Sequence, residues 1–323
     1  MATIMTEKKK AKMPRKNKMR YFLRHITQMP LLTALLLSVC ALAMWTVDYI
    51  RMPELWRSLM VTQILATSCA VLLCMTLYRA KATAHFTLLP AVLYIVAVAV
   101  YPYLRLHWHP QLVIGILLFF LYSTRDMTDS HEPNGLVFFV TILLCLATLV
   151  LSDALWCIPM IWIVVLLQGL FTLRTVLASV LAVVLVAIYY TLAMYLGWAE
   201  GWNFSVLFDR EWLTDLMPLC MSCSVAVMMV AFLVIAGFTF RRSSYDLVST
   251  RMLLYHVVMW GLLTAPLILF TTVEPDSWSM LPFTLSAVTS IFLLQKQSEA
   301  RGITFIAYLA GNVALYLWLV LSL

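Results

Sequence analysis

Across residues 134–198 three apolar runs follow one another with a single charge at each junction. They occupy residues 136–152, 154–172 and 175–198, each near the roughly 20 residues a helix needs to cross a hydrocarbon layer. Asp153 separates the first two and Arg174 the last two. If every run crosses, those two charges emerge on opposite faces. Lys and Arg gather in cytoplasmic loops while Asp and Glu carry little topological weight, so Arg174 marks the inside.

The rest of the chain has the same character: 63% hydrophobic residues, 11% charged and a mean hydropathy of +0.93 exclude a soluble domain of ordinary composition. Backbone in lipid must satisfy its own hydrogen bonds, which leaves helices or a closed barrel, and long apolar runs without alternation exclude the barrel. The expected fold class is all-α, a polytopic transmembrane helical bundle. We expect two parts, a basic cytoplasmic tail with an interfacial segment over residues 1–30 and one transmembrane domain over 31–323. The seven cysteines all lie inside apolar runs, which argues against a disulfide framework.

Nine cations, from Lys8 to Arg24, precede the first run at 31–47 and predict a cytoplasmic N-terminus. Such a tail can adsorb to anionic lipid, at about 1 kcal/mol per cation near the surface. No nucleic-acid partner is expected, because no binding fold or aromatic pattern accompanies the charge. Ala41-Leu42-Ala43 offers a small-residue cleavage pattern, but Trp45 and the many later spans favour an uncleaved anchor.

Further candidate spans are 58–78, 86–104, 111–123, 216–240, 252–272, 278–295 and 303–321, giving about eleven. The run at 111–123 is short, so a re-entrant segment competes with a crossing. Charge counting favours the crossing: the downstream inner loops then hold Arg125, Arg174, Arg241, Arg242, Arg251, Lys296 and Arg301, and the outer loops only Arg210. A slightly tilted helix or a locally thinned bilayer would accommodate it. The N-terminus is then cytoplasmic, the C-terminus periplasmic, and the outer face acidic. The outer loop after Trp198 mixes Trp202, Phe204 and Trp212 with Glu200, Asp209 and Glu211, as in a short helix lying in the interface.

Ionisable side chains within spans are costly and usually functional. Only His256 qualifies, and a hydrogen-bonded packing role suits it better than a site. No acid falls deep in a span, which weighs against an ion-coupled transporter. Cys220 and Cys223 have the spacing of a thiol redox pair, although in an apolar helix that spacing more often means small packing residues. The outer rim carries the best enzymatic constellation. Arg51, Arg105, His107, His109 and Arg210 suit the phosphates of a lipid-linked substrate, with Asp48 and Asp153 as candidate catalytic carboxylates. The competing reading is an ordinary interfacial belt of aromatic and basic residues. His107 and His109 alone are a weak metal pair, and no cofactor is implied.

Asn134-Gly135 before a span, Leu146-Ala147 and Leu149 within it, Pro159 and Trp162 in the next, and Leu173-Arg174-Thr175 opening the third resemble a family of multi-pass inner-membrane proteins from Bacteroidota. Some members carry a carotenoid-oxygenase name. Such oxygenases are strand-built iron propellers with four histidine ligands, a pattern foreign to a chain with six histidines and no strand signal. Asp48 after the first span also resembles the acid of polytopic glycosyltransferases using polyprenyl-phosphate donors, although no Asp-x-Asp follows it. The expected role is a membrane subunit or scaffold in cell-envelope biogenesis, working with a membrane-protein partner. A glycosyltransferase-like enzyme on lipid-linked precursors and a transporter or flippase are the alternatives.

Overall fold

The structure, a computed structural model, describes residues 35, 39, 43, 45–46, 49–50, 53–82, 86–100, 104, 107–130, 133–149, 152–197, 219–242, 248–270, 280–294 and 301–322. Among them the fold is all-helical, without a strand. The α-helices are α1 (Trp56–Arg79), α2 (Leu89–Val100), α3 (His109–Ser130), α4 (Asn134–Ala147), α5 (Ile158–Leu167), α6 (Leu173–Tyr195), α7 (Leu219–Arg242), α8 (Val248–Phe270), α9 (Met280–Leu294) and α10 (Arg301–Ser322). Two helices are long and apolar enough to cross a membrane, Pro53–Arg79, which includes a leading 3-10 turn, and Leu173–Tyr195. Seven shorter apolar segments accompany them, so the described residues contain fewer full-length spans than the eleven expected.

Local chemistry explains where the helices stop. The run expected as one span over 154–172 divides into a 3-10 helix, Ser152–Cys157, and the ten-residue α5. Pro159 stands in the first turn of α5, where its missing N–H leaves no gap in the ladder. Gly169, at φ +69°, ends the helix in a double turn: its N–H bonds the Leu166 carbonyl and the Leu170 N–H bonds the Val165 carbonyl. Thr172 then opens α6 through a reciprocal cap with Thr175.

The end of α1 repeats the double turn with an unsuitable residue. Lys81 occupies the left-handed position at φ 58°, while its N–H bonds Tyr78 and the Ala82 N–H bonds Leu77. A side chain there is strained by about 1–2 kcal/mol, and glycine is not. Lys81→Gly is therefore expected to stabilise the protein by about 0.5–1 kcal/mol. A denaturant titration in detergent would test this, and a midpoint below wild type would refute it.

The core centres on α2 and α9. Every residue of α9 from Met280 to Leu293 is buried, enclosed by α2, α7, α8 and α10. Three of its hydroxyls reach that environment by bonding their own helix, Thr284 donating to Leu281, Ser286 to Phe283 and Ser290 to Ser286, while the buried Thr289 hydroxyl has no partner. Tyr308 of α10 donates to the Leu93 carbonyl of α2 at 2.9 Å. By contrast α6 packs chiefly on α4 and leaves Leu177, Leu181, Val184, Ile188 and Leu192 exposed; only 11% of its apolar window is buried. Such a surface suits an apolar neighbour, lipid or another helix.

Candidate functional site at the head of α3

Of the seven residues singled out on the outer rim, Asp48, Arg51, Arg105 and Arg210 lie outside the described residues. Asp153 falls on the 3-10 helix Ser152–Cys157, before α5. His107 and His109 are described, and they belong together. Their rings stack with centroids 6.4 Å apart, and Trp108 meets His109 edge-on at 4.2 Å. All three are half-buried.

This short segment leads into α3, whose ladder begins with the Leu112 N–H bonding the Trp108 carbonyl. Pro110 follows in the first turn, and then Gln111, which is fully buried. Tyr94 of α2 donates its hydroxyl to Gln111 Oε1 at 2.5 Å, and the Cys69 thiol of α1 donates to the Gln111 carbonyl at 3.2 Å. Gln111 Nε2 has no partner. Gly115, one turn on, permits this close approach of α1 and α3, since a Cβ there would stand 3.3 Å from the Cys69 sulfur. Sequence reasoning overlooked Gln111 because it reads as the polar start of an apolar run, and Tyr94 because it is one aromatic among many.

Two contacts set the register of α1 against α3. Cys69 meets Gln111, and ten residues further along α1 the Arg79 guanidinium lies over the Tyr122 ring at 4.5 Å. The helices run parallel, and α3 starts about halfway along α1. A separate chain of contacts agrees. Ser249 and Thr250, at the start of α8, both donate to the Ala80 carbonyl that ends α1. Ten residues beyond Thr250 on the same helix, Trp260 stands 6.4 Å from Phe283 of α9, and Phe283 stands 6.2 Å from Tyr94. The histidine pair thus stands about halfway along α1, not level with its N-terminal end.

His256 itself is buried and hydrogen-bonds the Val164 backbone on α5, a packing arrangement, with Nε2 unpartnered. Cys69, Cys74, Cys145 and Cys157 are buried. No group of three or more His, Cys, Asp or Glu side chains that could hold a metal occurs among the described residues. A second feature is an apolar groove of about 370 Å³ between α5 and α6, lined by Leu155, Pro159, Trp162, Val180 and Val183. At its polar corner the Trp162 indole donates to Ser179 Oγ at 3.1 Å, and Ser179 shares a hydrogen bond with Thr141.

No family model, curated protein or solved structure matches this chain.

Proposed function

We propose that this chain is a multi-pass inner-membrane protein of about eleven spans, N-terminus cytoplasmic and C-terminus periplasmic, serving as a membrane subunit or scaffold in cell-envelope biogenesis. The observation that carries this reading is the packing contrast between α9 and α6. The centre is closed mainly by apolar side chains and by hydroxyls that bond their own helix, with no buried Asp or Glu among the described residues, while α6 offers almost its whole apolar surface outward. A closed centre suits a structural subunit better than a flippase or transporter, which needs a polar route between spans. An apolar helix held by one main neighbour suits lipid or the helices of a membrane-protein partner. The basic segment 1–30 would rest on anionic lipid of the cytoplasmic leaflet.

A second reading, an enzyme acting on lipid-linked envelope precursors from the periplasmic side, is favoured by the stacked His107 and His109 two positions from Gln111, whose Nε2 has no partner. Asp48 and Asp153 would act as its carboxylates, and Arg51, Arg105 and Arg210 would meet its phosphates.

One fusion tests the main reading. A reporter that works only in the periplasm, joined through an affinity tag after Leu323, is expected to be active and, after mild detergent extraction, to bring down a membrane protein in fixed proportion. A well-expressed but inactive reporter would overturn the topology. An active fusion that purifies alone, with its deletion phenotype reversed only when Asp48 and Asp153 are intact, would replace the subunit by the enzyme.

A further inference from the structure

Lys81, Arg241 and Arg251 come to one end of the bundle from distant parts of the chain. Ser249 and Thr250 of α8 donate to the Ala80 carbonyl at 2.8 and 3.1 Å, so Lys81 and Arg251 are chain neighbours of the residues sharing these bonds. On another side of α8, the Tyr255 ring stacks on Phe240 of α7, centroids 5.1 Å apart, and Phe232 lies against Gly261. These two contacts make α7 and α8 antiparallel. Arg241 follows Phe240, and Arg251 lies one turn before Tyr255, on the helix face that residues four apart share. Arg251 therefore faces the α7 side, and at 1.5 Å per residue the two arginines differ in level by about 4–5 Å. The three cations ring the start of α8, Lys81 from the α1 side.

Lys81 and Arg241 are exposed, Arg251 is half-buried with its Nε unpartnered, and among the described residues no carboxylate pairs with any of them. Arg79 is engaged elsewhere: its guanidinium covers the Tyr122 ring, and Asp126 and Asp129 follow on α3. Residues 243–247, outside the described residues, bring one acid, Asp246, which leaves the group of three net positive. Lys81 also holds the left-handed φ of 58°, where glycine would be unstrained, and strain of this kind is kept where a side chain is used. The rings nearby fix the kind of anion. Tyr78, Phe86 and Phe240 are exposed beside these cations, and Tyr78 meets Phe86 edge-on at 6.0 Å. Aromatic and basic side chains at one level belong to the boundary between hydrocarbon and water, where a phosphate arrives attached to acyl chains.

From this we infer that the inner end of α7 and α8 binds the headgroup of an anionic phospholipid, its phosphate held by Arg241 and Arg251 and its charge further balanced by Lys81 across the start of α8. Guanidinium groups form charge-assisted bonds to phosphate oxygens, and a basic recess between helices at the membrane boundary selects an anionic headgroup over a neutral one. The acyl chains would lie against the exposed apolar side of α7, which includes Val234 and Phe238. The inference rests on the chain's residence in a membrane, not on its role as a subunit, and it is separate from the basic tail at residues 1–30.

The test keeps the full chain in dodecyl maltoside and follows thermal unfolding as dioleoyl phosphatidylglycerol is added, with dioleoyl phosphatidylcholine and inorganic phosphate as separate arms. The wild type is expected to gain several degrees from phosphatidylglycerol and little from the other two. Arg241→Gln and Arg251→Gln should each raise the midpoint phosphatidylglycerol concentration about fivefold, and the double variant about 25-fold. The single variants carry the test if the double variant does not fold. Arg174→Gln is the control: it removes an equal charge from the exposed start of α6, where it is the one cation of its helix, and should leave the midpoint unchanged. The tail is intact in every variant. An unchanged midpoint in the folded Arg241 and Arg251 variants, an equal loss in Arg174→Gln, or an equal gain from phosphatidylcholine or phosphate would overturn the site. A chain that needs detergent and gains nothing overturns the site alone, whereas a chain soluble without detergent overturns the membrane reading with it.

Discussion

Trp260→Ala is expected to be among the most damaging single substitutions in this protein, lowering unfolding stability by about 3–5 kcal/mol, the range for emptying a buried Trp site. Trp260 is fully buried, its indole N–H donates to the Met160 carbonyl at 3.1 Å, and its ring stands 6.4 Å from Phe283. One side chain therefore joins α8 to α5 and to the enclosed α9. The loss should divide unequally. Interhelical hydrogen bonds in lipid average about 0.6 kcal/mol, because the separated helices find other partners, whereas the lost packing has no replacement. Trp260→Phe, which keeps most of the volume and drops the N–H, should accordingly cost only about 1–2 kcal/mol. Reversible unfolding in mixed micelles would measure both. A Trp260→Ala protein within 1 kcal/mol of wild type would mean that α5, α8 and α9 do not meet there.

The second large effect is expected one residue away. At Gly261 a Cβ would run into the Phe232 ring, and Phe232 of α7 is itself fully buried. A ring in that position has little room to withdraw, so Gly261→Ala should destabilise by about 1–3 kcal/mol despite the helix propensity that alanine adds. The pair provides its own control. Phe232→Leu should remove the clash, so the double variant is expected to be more stable than the sum of the singles by about 1–3 kcal/mol. Additive losses would show that α7 and α8 do not cross with the ring of Phe232 against Gly261. In lipid such close crossings matter more than apolarity, because the surrounding chains are as apolar as the helices.

The candidate site was only partly legible. His107 and His109 could be picked out from the chain, since imidazoles beside an apolar run are conspicuous, but their stacking and their level along α1 depend on the register of α3. Gln111 gave no signal of its own. Its interest comes from Tyr94, 17 positions earlier, and Cys69, 42 earlier, occupying its oxygens and leaving Nε2 alone. Counting charges could not reveal the level of α3 either, because that count responds to the number of crossings and not to the depth at which a helix begins.

Helical backbone was decided by the chain alone, because long apolar runs without alternation can satisfy their peptide groups only internally. So were several boundaries, where Pro159, Gly169 and the Thr172 cap act through bonds within a few residues. Which helices are enclosed was not. α2, α6 and α9 read alike as apolar on all sides, yet α9 is buried throughout and α6 is left outside. Hydropathy measures preference for an apolar medium, and a neighbouring helix and a lipid chain are equally apolar. Only shape, in contacts such as Gly261 against Phe232 or Cys69 against Gly115, distinguishes them, and shape of that kind exists only after the helices have packed.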